Sequence, residues 1–464
     1  MKLHCLLAPC LSALAAWHTP ALQAQGPLPP PVSPTSAPPA VPGAQPTAPA
    51  PIPAPGTVTG RAASAAVGGY ENTVTLSATQ LLQPVFMAGQ LFRVRELVGN
   101  DWGICNYTID SPLYGTFLAH GNNQLLDRIT ELSALQRMDV VTRTKDYADA
   151  VEDAADEEED IADDAPDRNV DSIEDAPSSG IGKFFHRIGK DVKQGFKEGE
   201  ANIYSSKTQK TGARVAAAKR DLCRKLGLNP YSSNVMLQGR LDGMSRVMGL
   251  AKVNFQLGAE SADPVVAAVN ANRGTIPPAM ADLVYGKGPA EIRAANQAML
   301  QQLGVGPVDA AGFCASPAFS PWHQTQFVVA LRALMGVSGL DVLVRDAATV
   351  STVETDAIFY AETAQLMAQL KAQQWPIARI DLHNNLPYCV LQDGSVLLAL
   401  HWDYASWTDM SDKAAQWLQS LQVNGKKPTT ITIAITGVAS PRLRQEMEKR
   451  GFRLLDRQSK GPMN

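Results

Sequence analysis

At 464 residues, with 45% hydrophobic and 19% charged side chains, the chain has a globular balance and length for two or three domains. The formal net charge is only −4, so there is no overall basic footprint for nucleic acid, and no nucleic-acid partner is expected. That small number hides a reversal. Residues 146–175 carry fifteen acids against one base, Arg168, a block of −14 that leaves +10 for the rest; residues 181–220 carry ten Lys and Arg against three acids.

Lys2 opens an apolar run over residues 3–17, and Ala24 supplies a small residue before a cleavage point. The run falls short of the about 20 residues that span a bilayer. Residues 1–24 are therefore predicted to be a signal peptide, and the protein to be exported, periplasmic or secreted. Pro9 stands where a lipid-modified Cys10 wants a small residue, which argues against a lipoprotein. Residues 25–68 are dominated by Pro and Ala, which bury little and favour extended conformations; they are predicted to be a disordered tether.

Residues 69–145 read as a β-rich module. Residues 104–109 and 114–118 have strand character and flank a turn at 110–113; Leu125, Leu126, Ile129, Leu132 and Leu135 then recur at helical spacing. A small sheet capped by a helix is expected. Residues 146–180 are predicted to be an acidic disordered linker, because like charges cannot pack into a core. Residues 181–212 form a basic amphipathic segment. Residues 213–374 read as a helical domain, with Asn234 capping a helix that carries Val235, Leu241, Met244, Val247 and Met248. Residues 339–373 fit one long helix or two. Residues 375–464 turn to mixed α/β: strands at 377–382, 388–391 and 396–400, a hairpin turn at Gln392-Asp393-Gly394, then a strand–helix–strand unit in which Ser440 caps 441–450. The expected class is α+β, with a β-rich N-terminal module, a mainly helical centre, a mixed α/β end and long disordered segments.

Three stretches carry a family resemblance: Lys219-Arg220-Asp221-Leu222 with Leu226-Gly227-Leu228-Asn229-Pro230-Tyr231-Ser232-Ser233-Asn234, then Asp403-Tyr404-Ala405-Ser406-Trp407-Thr408, then Thr436-Gly437-Val438-Ala439-Ser440-Pro441-Arg442. From about Tyr70 onward the chain resembles an uncharacterised family of exported proteobacterial proteins. The resemblance implies export and no particular activity. Similar chains prefer Asp where Asn229 stands.

Within the basic segment, residues 180–190 resemble the opening of magainin-type antimicrobial peptides. Ile181, Phe184, Phe185, Ile188, Val192 and Phe196 fall at helical intervals, with Lys183, Arg187, Lys190, Lys193 and Lys197 on other faces. Such a helix can lie in the headgroup region of an anionic membrane; an apolar stripe of this kind is also the ordinary mark of a helix packed on its own protein. Lys183, Phe184, Phe185, Arg187, Ile188, Lys190 and Lys193 are the candidate contact residues. Their expected partner is an anionic membrane surface or an acidic protein.

Chemistry is thinner. His383, Cys389, His401 and Asp403 cluster in the hairpin region, where opposed strands would bring His383 and His401 together and a Cys–His pair would supply nucleophile and base. Their spacing matches no thiol-enzyme or zinc pattern, and isolated His and Cys in strands are usually structural. Glu354, Asp356 and Glu362 are spaced as a helix surface. The glycine pairs lack the context of a phosphate loop. Cys105, Cys223, Cys314 and Cys389 lie outside the signal, and a disulfide and buried free thiols both fit. Trp402, Tyr404, Trp407 and Trp417 form either a binding patch or the core where the C-terminal helix meets the sheet. No catalytic residue, metal or cofactor is assigned. The leading expectation is an exported, envelope-associated binding or scaffold protein; the alternative is a periplasmic hydrolase or thiol-dependent enzyme using His383, Cys389 and His401.

Overall fold

The computed structural model describes residues 69–71, 75–163, 206–258 and 264–464. The signal peptide, the tether, the acidic stretch beyond 163 and the candidate contact residues Lys183, Phe184, Phe185, Arg187, Ile188, Lys190 and Lys193 lie outside the described residues.

Alternation of inward and outward side chains builds the N-terminal sheet. Its strands are β1 (Thr75–Ser77), β2 (Arg93–Val94), β3 (Leu97–Asp101), β4 (Ile104–Ser111) and β5 (Gly115–His120), with one helical turn, α1 (Ala78–Leu81), after β1. Every pairing is antiparallel: β4 is central, with β5 along one side and β3 and β2 end to end along the other. Cys105, Tyr107 and Ile109 of β4 point to the core. Trp102 and Gly103 both take positive φ (53° and 87°), the geometry of a two-residue hairpin turn. Helix α2 (Asn122–Val141) covers the inner face. Leu125, Leu126, Ile129, Leu132 and Leu135, the residues expected on its apolar stripe, are all buried.

The acidic run departs from expectation. Residues Lys145–Asp163 form helix α3, not a solvated linker. Ala150 and Val151 stand four and three residues before Ala154, on one helix face, and all three pack on Val247 and Leu250. The stripe is narrow and made of small residues, so the charges around it mask it in a composition count. Flanking acids are matched by bases: Glu157 pairs with Arg214 at 3.0 Å and Lys252 at 3.3 Å, and Glu158 with Arg246 at 2.6 Å.

The expected helical centre holds α4 (Ser206–Leu226), α5 (Val235–Ala251), α6 (Pro264–Asn272), α7 (Pro278–Gly286), α8 (Pro289–Gln302), α9 (Pro307–Ala315), α10 (Pro321–Ala333), α11 (Leu340–Val350) and α12 (Glu354–Ala372). Asn234 caps α5, its Oδ1 accepting the Leu237 N–H at 3.2 Å. Helices α7 to α10 each open on proline, which has no amide proton to leave unpaired at that position. The stretch 339–373 resolves into two helices because the Asp356 carboxylate accepts the Thr352 and Val353 N–H groups, capping α12 afresh. Gly249 lets α5 lie against α4: a Cβ there would stand 2.8 Å from the Val215 backbone.

The C-terminal sheet runs β12-β10-β8-β7-β6, with β6 (Ile377–His383), β7 (Leu386–Leu391), β8 (Val396–Leu400), β10 (Ile431–Ile435) and β12 (Arg453–Leu455). Strands β8, β10 and β12 are mutually parallel, and β7 and β6 continue antiparallel. Helix α13 (Asp409–Ser420) links β8 to β10, and α14 (Pro441–Lys449) completes the expected strand–helix–strand unit. Beyond β8 and β10 the chain makes a second short parallel pair, β9 (Tyr404–Ala405) and β11 (Val438–Ala439).

The regions read as separate modules are laced together. The Glu71 carboxylate accepts the Trp407 N–H and the Ser440 hydroxyl, each at 2.6 Å. At the other terminus, the Asn464 N–H donates to the Leu81 carbonyl and the Gln83 N–H to the Pro462 carbonyl. All described residues fall in one contact unit.

Because Ala154 is fully buried, Ala154→Asp is expected to cost about 2–4 kcal/mol in chemical denaturation and to open residues 145–163 to protease. Asp153→Ala, on the exposed side of the same helix, is expected to change stability by no more than about 0.5 kcal/mol.

Candidate functional site

The carboxyl ends of parallel strands are where open α/β sheets receive ligands. Here those ends carry His401-Trp402-Asp403 after β8 and Thr436-Gly437 after β10, and the N-terminal sheet occupies much of the space. The Asp403 carboxylate accepts the Cys105 N–H at 2.9 Å and the Asn122 N–H at 3.2 Å. The Gly103 carbonyl accepts the Asp403 and Tyr404 N–H groups at 2.8 and 3.0 Å. A Cβ on Gly103 would meet the Trp402 indole at 2.6 Å, and one on Gly437 would meet the Asp403 carbonyl oxygen at 2.0 Å; both positions need glycine for close approach. Asn122 is the first residue of α2, so a negative Asp403 also complements that helix's N-terminal dipole. Burial pushes the Asp403 carboxyl up from its usual range, while His401 and the two amides pull it back.

Behind Asp403, His401 is 1% exposed. Its Nδ1 lies 3.0 Å from Glu362 Oε2 and 3.2 Å from Thr436 Oγ1. Burial disfavours the imidazolium, but the charge and hydrogen bond of Glu362, with Asp403 nearby, outweigh it and hold the ring up to about 9. Burial likewise works against the Glu362 carboxylate; the His401 charge and bond, and the Asn123 amide at 2.7 Å, keep it below the usual glutamate range. The pair is thus a buried carboxylate–imidazolium. His401 Nε2 has no hydrogen-bond partner among the described residues.

Glu362 faces a cavity of about 120 Å³. Its walls come from the first half of α2, residues 229–233, residues 273–277, the start of α10 and helix α12. Two arginines stand in the wall, and both are occupied. Arg128 spends its guanidinium on the Leu118 carbonyl, Glu131, Ser232 and Ser233. Arg273 is held by the Gly227 carbonyl and Asp127, at 2.7 and 2.8 Å. Glu131 is saturated by Arg128, Ser232 and Asn234. Burial lowers the pKa of His323 on the same wall, favouring its neutral form. Acceptors remain: Glu362 Oε1 and the Glu354 carboxylate have no hydrogen-bond or ion-pair partner among the described residues, and Glu362 is only 8% exposed.

The sequence candidates separate. His383 stacks on Trp417, centroids 4.2 Å apart and planes within 4°. Cys389 lies in the sheet core opposite Ile380 and Leu397, and burial pushes its thiol up to about 12. Strand β7 separates β6 from β8, so the expected meeting of His383 and His401 does not occur. Cys105, Cys223, Cys314 and Cys389 are all buried free thiols; burial holds Cys223 up at about 12 and Cys314 at about 11. Of the aromatic group, Trp402, Trp407 and Trp417 pack with the core around α13 and α14, with Arg450 over the Trp407 ring at 4.5 Å, and Tyr404 packs against the N-terminal core. Glu362 is not on a helix surface: it continues the buried row of Ile358 and Leu366, four residues to either side, and that row is the signal that marks it. Of the three stretches quoted for the family resemblance, the second and third bond each other, the Val438 N–H donating to the Asp403 carbonyl and the Ser440 N–H to the Ala405 carbonyl, while residues 229–233 lie on the cavity wall. Asn229 Oδ1 accepts the Tyr231 N–H at 2.8 Å, a bond an Asp there makes equally well.

Comparison with protein-family models, curated proteins and solved structures finds no match to this chain.

The buried pair gives stability a pH dependence of defined sign. His401 titrates at about 9 in the folded state against an ordinary 6.5, so its contribution is full below 6.5 and lost as pH rises toward 9. Glu362 is lowered, so its contribution is present above the usual 4.5 and lost on acidification below it. Denaturation of the full chain is expected to show stability falling by on the order of 2–3 kcal/mol between pH 6.5 and 9. In His401→Gln that slope should vanish, on a fold destabilised at pH 6 by about 3–5 kcal/mol.

Proposed function

We propose that this protein is a non-enzymatic binding protein, exported and envelope-associated, which captures a small polar ligand in the cavity between α2, α10 and α12. The observation that supports this reading most is Glu362. Both contacts of this carboxylate, from His401 and Asn123, fall on Oε2 of a residue more than nine-tenths buried that lines a partly open cavity, while the guanidinium groups around that cavity already have partners. Concave sites with a few convergent polar groups are the usual form of small-molecule sites. The alternative enzyme has less behind it: His383, Cys389 and His401 face different neighbours, and the described thiols are held in the protonated, unreactive form. Export, and a contact of the basic segment with an anionic membrane surface or acidic protein, complete the proposal from the sequence.

Thr275 is exposed and lines the cavity, so Thr275→Trp is chosen to fill that side of it without a change in the core. A panel of small polar molecules of about six non-hydrogen atoms, screened against the full chain by ligand-observed NMR, should include binders that wild type retains and Thr275→Trp loses. Stability should differ between the two proteins by less than about 0.5 kcal/mol. A panel without binders, or binders indifferent to Thr275→Trp, contradicts the reading.

A further inference from the structure

We infer that the ligand of the α2–α10–α12 cavity carries a small organic cation, an ammonium or guanidinium group. The inference rests on the cavity's being a ligand site. It follows from what the wall has left to offer. Around the cavity Arg128 is balanced by Glu131, Arg273 by Asp127, and Glu362 by His401. Glu354 remains, a carboxylate without a hydrogen-bond or ion-pair partner among the described residues, on the same helix as Glu362 and two turns before it. The wall therefore presents one net negative charge and a surplus of acceptors. An anion entering would find both guanidinium groups already engaged and two carboxylates facing it, the like-charge arrangement by which sites exclude the wrong ligand. A ligand bringing N–H donors and one positive charge neutralises Glu354 and bonds Glu362, forming charge-assisted hydrogen bonds about twice as strong as neutral ones.

Size and the remaining walls narrow the class. A cavity of about 120 Å³ is somewhat smaller than the roughly 150 Å³ that accepts benzene, so a head group fits and a large side group stays outside. Trp322, Met280 and Ile358 make part of the wall apolar, which suits an organic cation better than a hydrated metal ion. Among the described residues no three His, Cys, Asp or Glu side chains converge as metal ligands do.

The test uses the full chain at matched ionic strength with four probes of similar size: methylguanidinium, methylammonium, acetate and acetamide. Isothermal titration or ligand-observed NMR should show saturable binding of at least one of the two cations and of neither acetate nor acetamide. Glu354→Gln, a change at a partly buried position on the cavity wall, should weaken that binding at least about tenfold, and Thr275→Trp should abolish it. Glu362→Gln should weaken it as well, but that variant also strands His401, so the decision rests on Glu354→Gln. Acetate or acetamide binding that Thr275→Trp removes, with no cation binding, overturns the cationic ligand and leaves the binding reading standing. Cation binding that neither variant changes overturns the inference as adventitious. Binding of none of the four takes away the cationic ligand and the ligand site together.

Discussion

One buried carboxylate, Asp403, fixes how the two sheets of this protein meet. It sits just past the end of β8, yet its hydrogen bonds go to the amides of Cys105 and Asn122, about 280–300 residues away in sequence. A charge placed there without partners would cost several kcal/mol; with two amides, the N-terminus of α2 and an imidazolium nearby, it becomes a joint. The glycines at 103 and 437 are consequences of that joint, since the backbones and the Trp402 indole approach too closely for any Cβ. So is the position of α2, whose first residue Asp403 caps and whose next residues begin the cavity wall.

The joint explains why the polar cavity lies where it does. His401, next to Asp403 in the chain, needs a second anion to stay charged in a dry site. Glu362 supplies it from α12, and Asn123 from α2 ties Glu362 back to the N-terminal sheet. The same carboxylate thus ties His401 and Asn123 together through Oε2 and also lines the cavity. The dense pairing of Arg128, Glu131, Ser232 and Asn234 on the opposite wall gives that side a fixed shape, because each donor and acceptor has its partner.

Periodic features were legible in the sequence. The leucine stripe of α2, the Asn234 cap, the parallel strand–helix–strand unit and the α+β class follow from local patterns that tertiary contacts reinforce. The features that were not legible depend on distant partners. Helix α3 reads as a linker until its three small buried residues find α5 and its acids find Arg214, Arg246 and Lys252. Glu362 reads as a surface residue until a histidine 39 positions later meets it. The cavity draws on five segments from 123 to 365, no two of which form a recognisable motif by themselves. His401 drew attention as a candidate, but for a partnership with His383 and Cys389 that the strand order excludes.

The role of Asp403 as the joint is tested most directly by amide hydrogen exchange on Asp403→Ala. Cys105 and Asn122 are expected to lose protection, together with the β8–β10 amides around His401 and Thr436, as the two sheets separate in one step. Loss of protection confined to residues 402–404, with Cys105 and Asn122 as slow as in wild type, would contradict it.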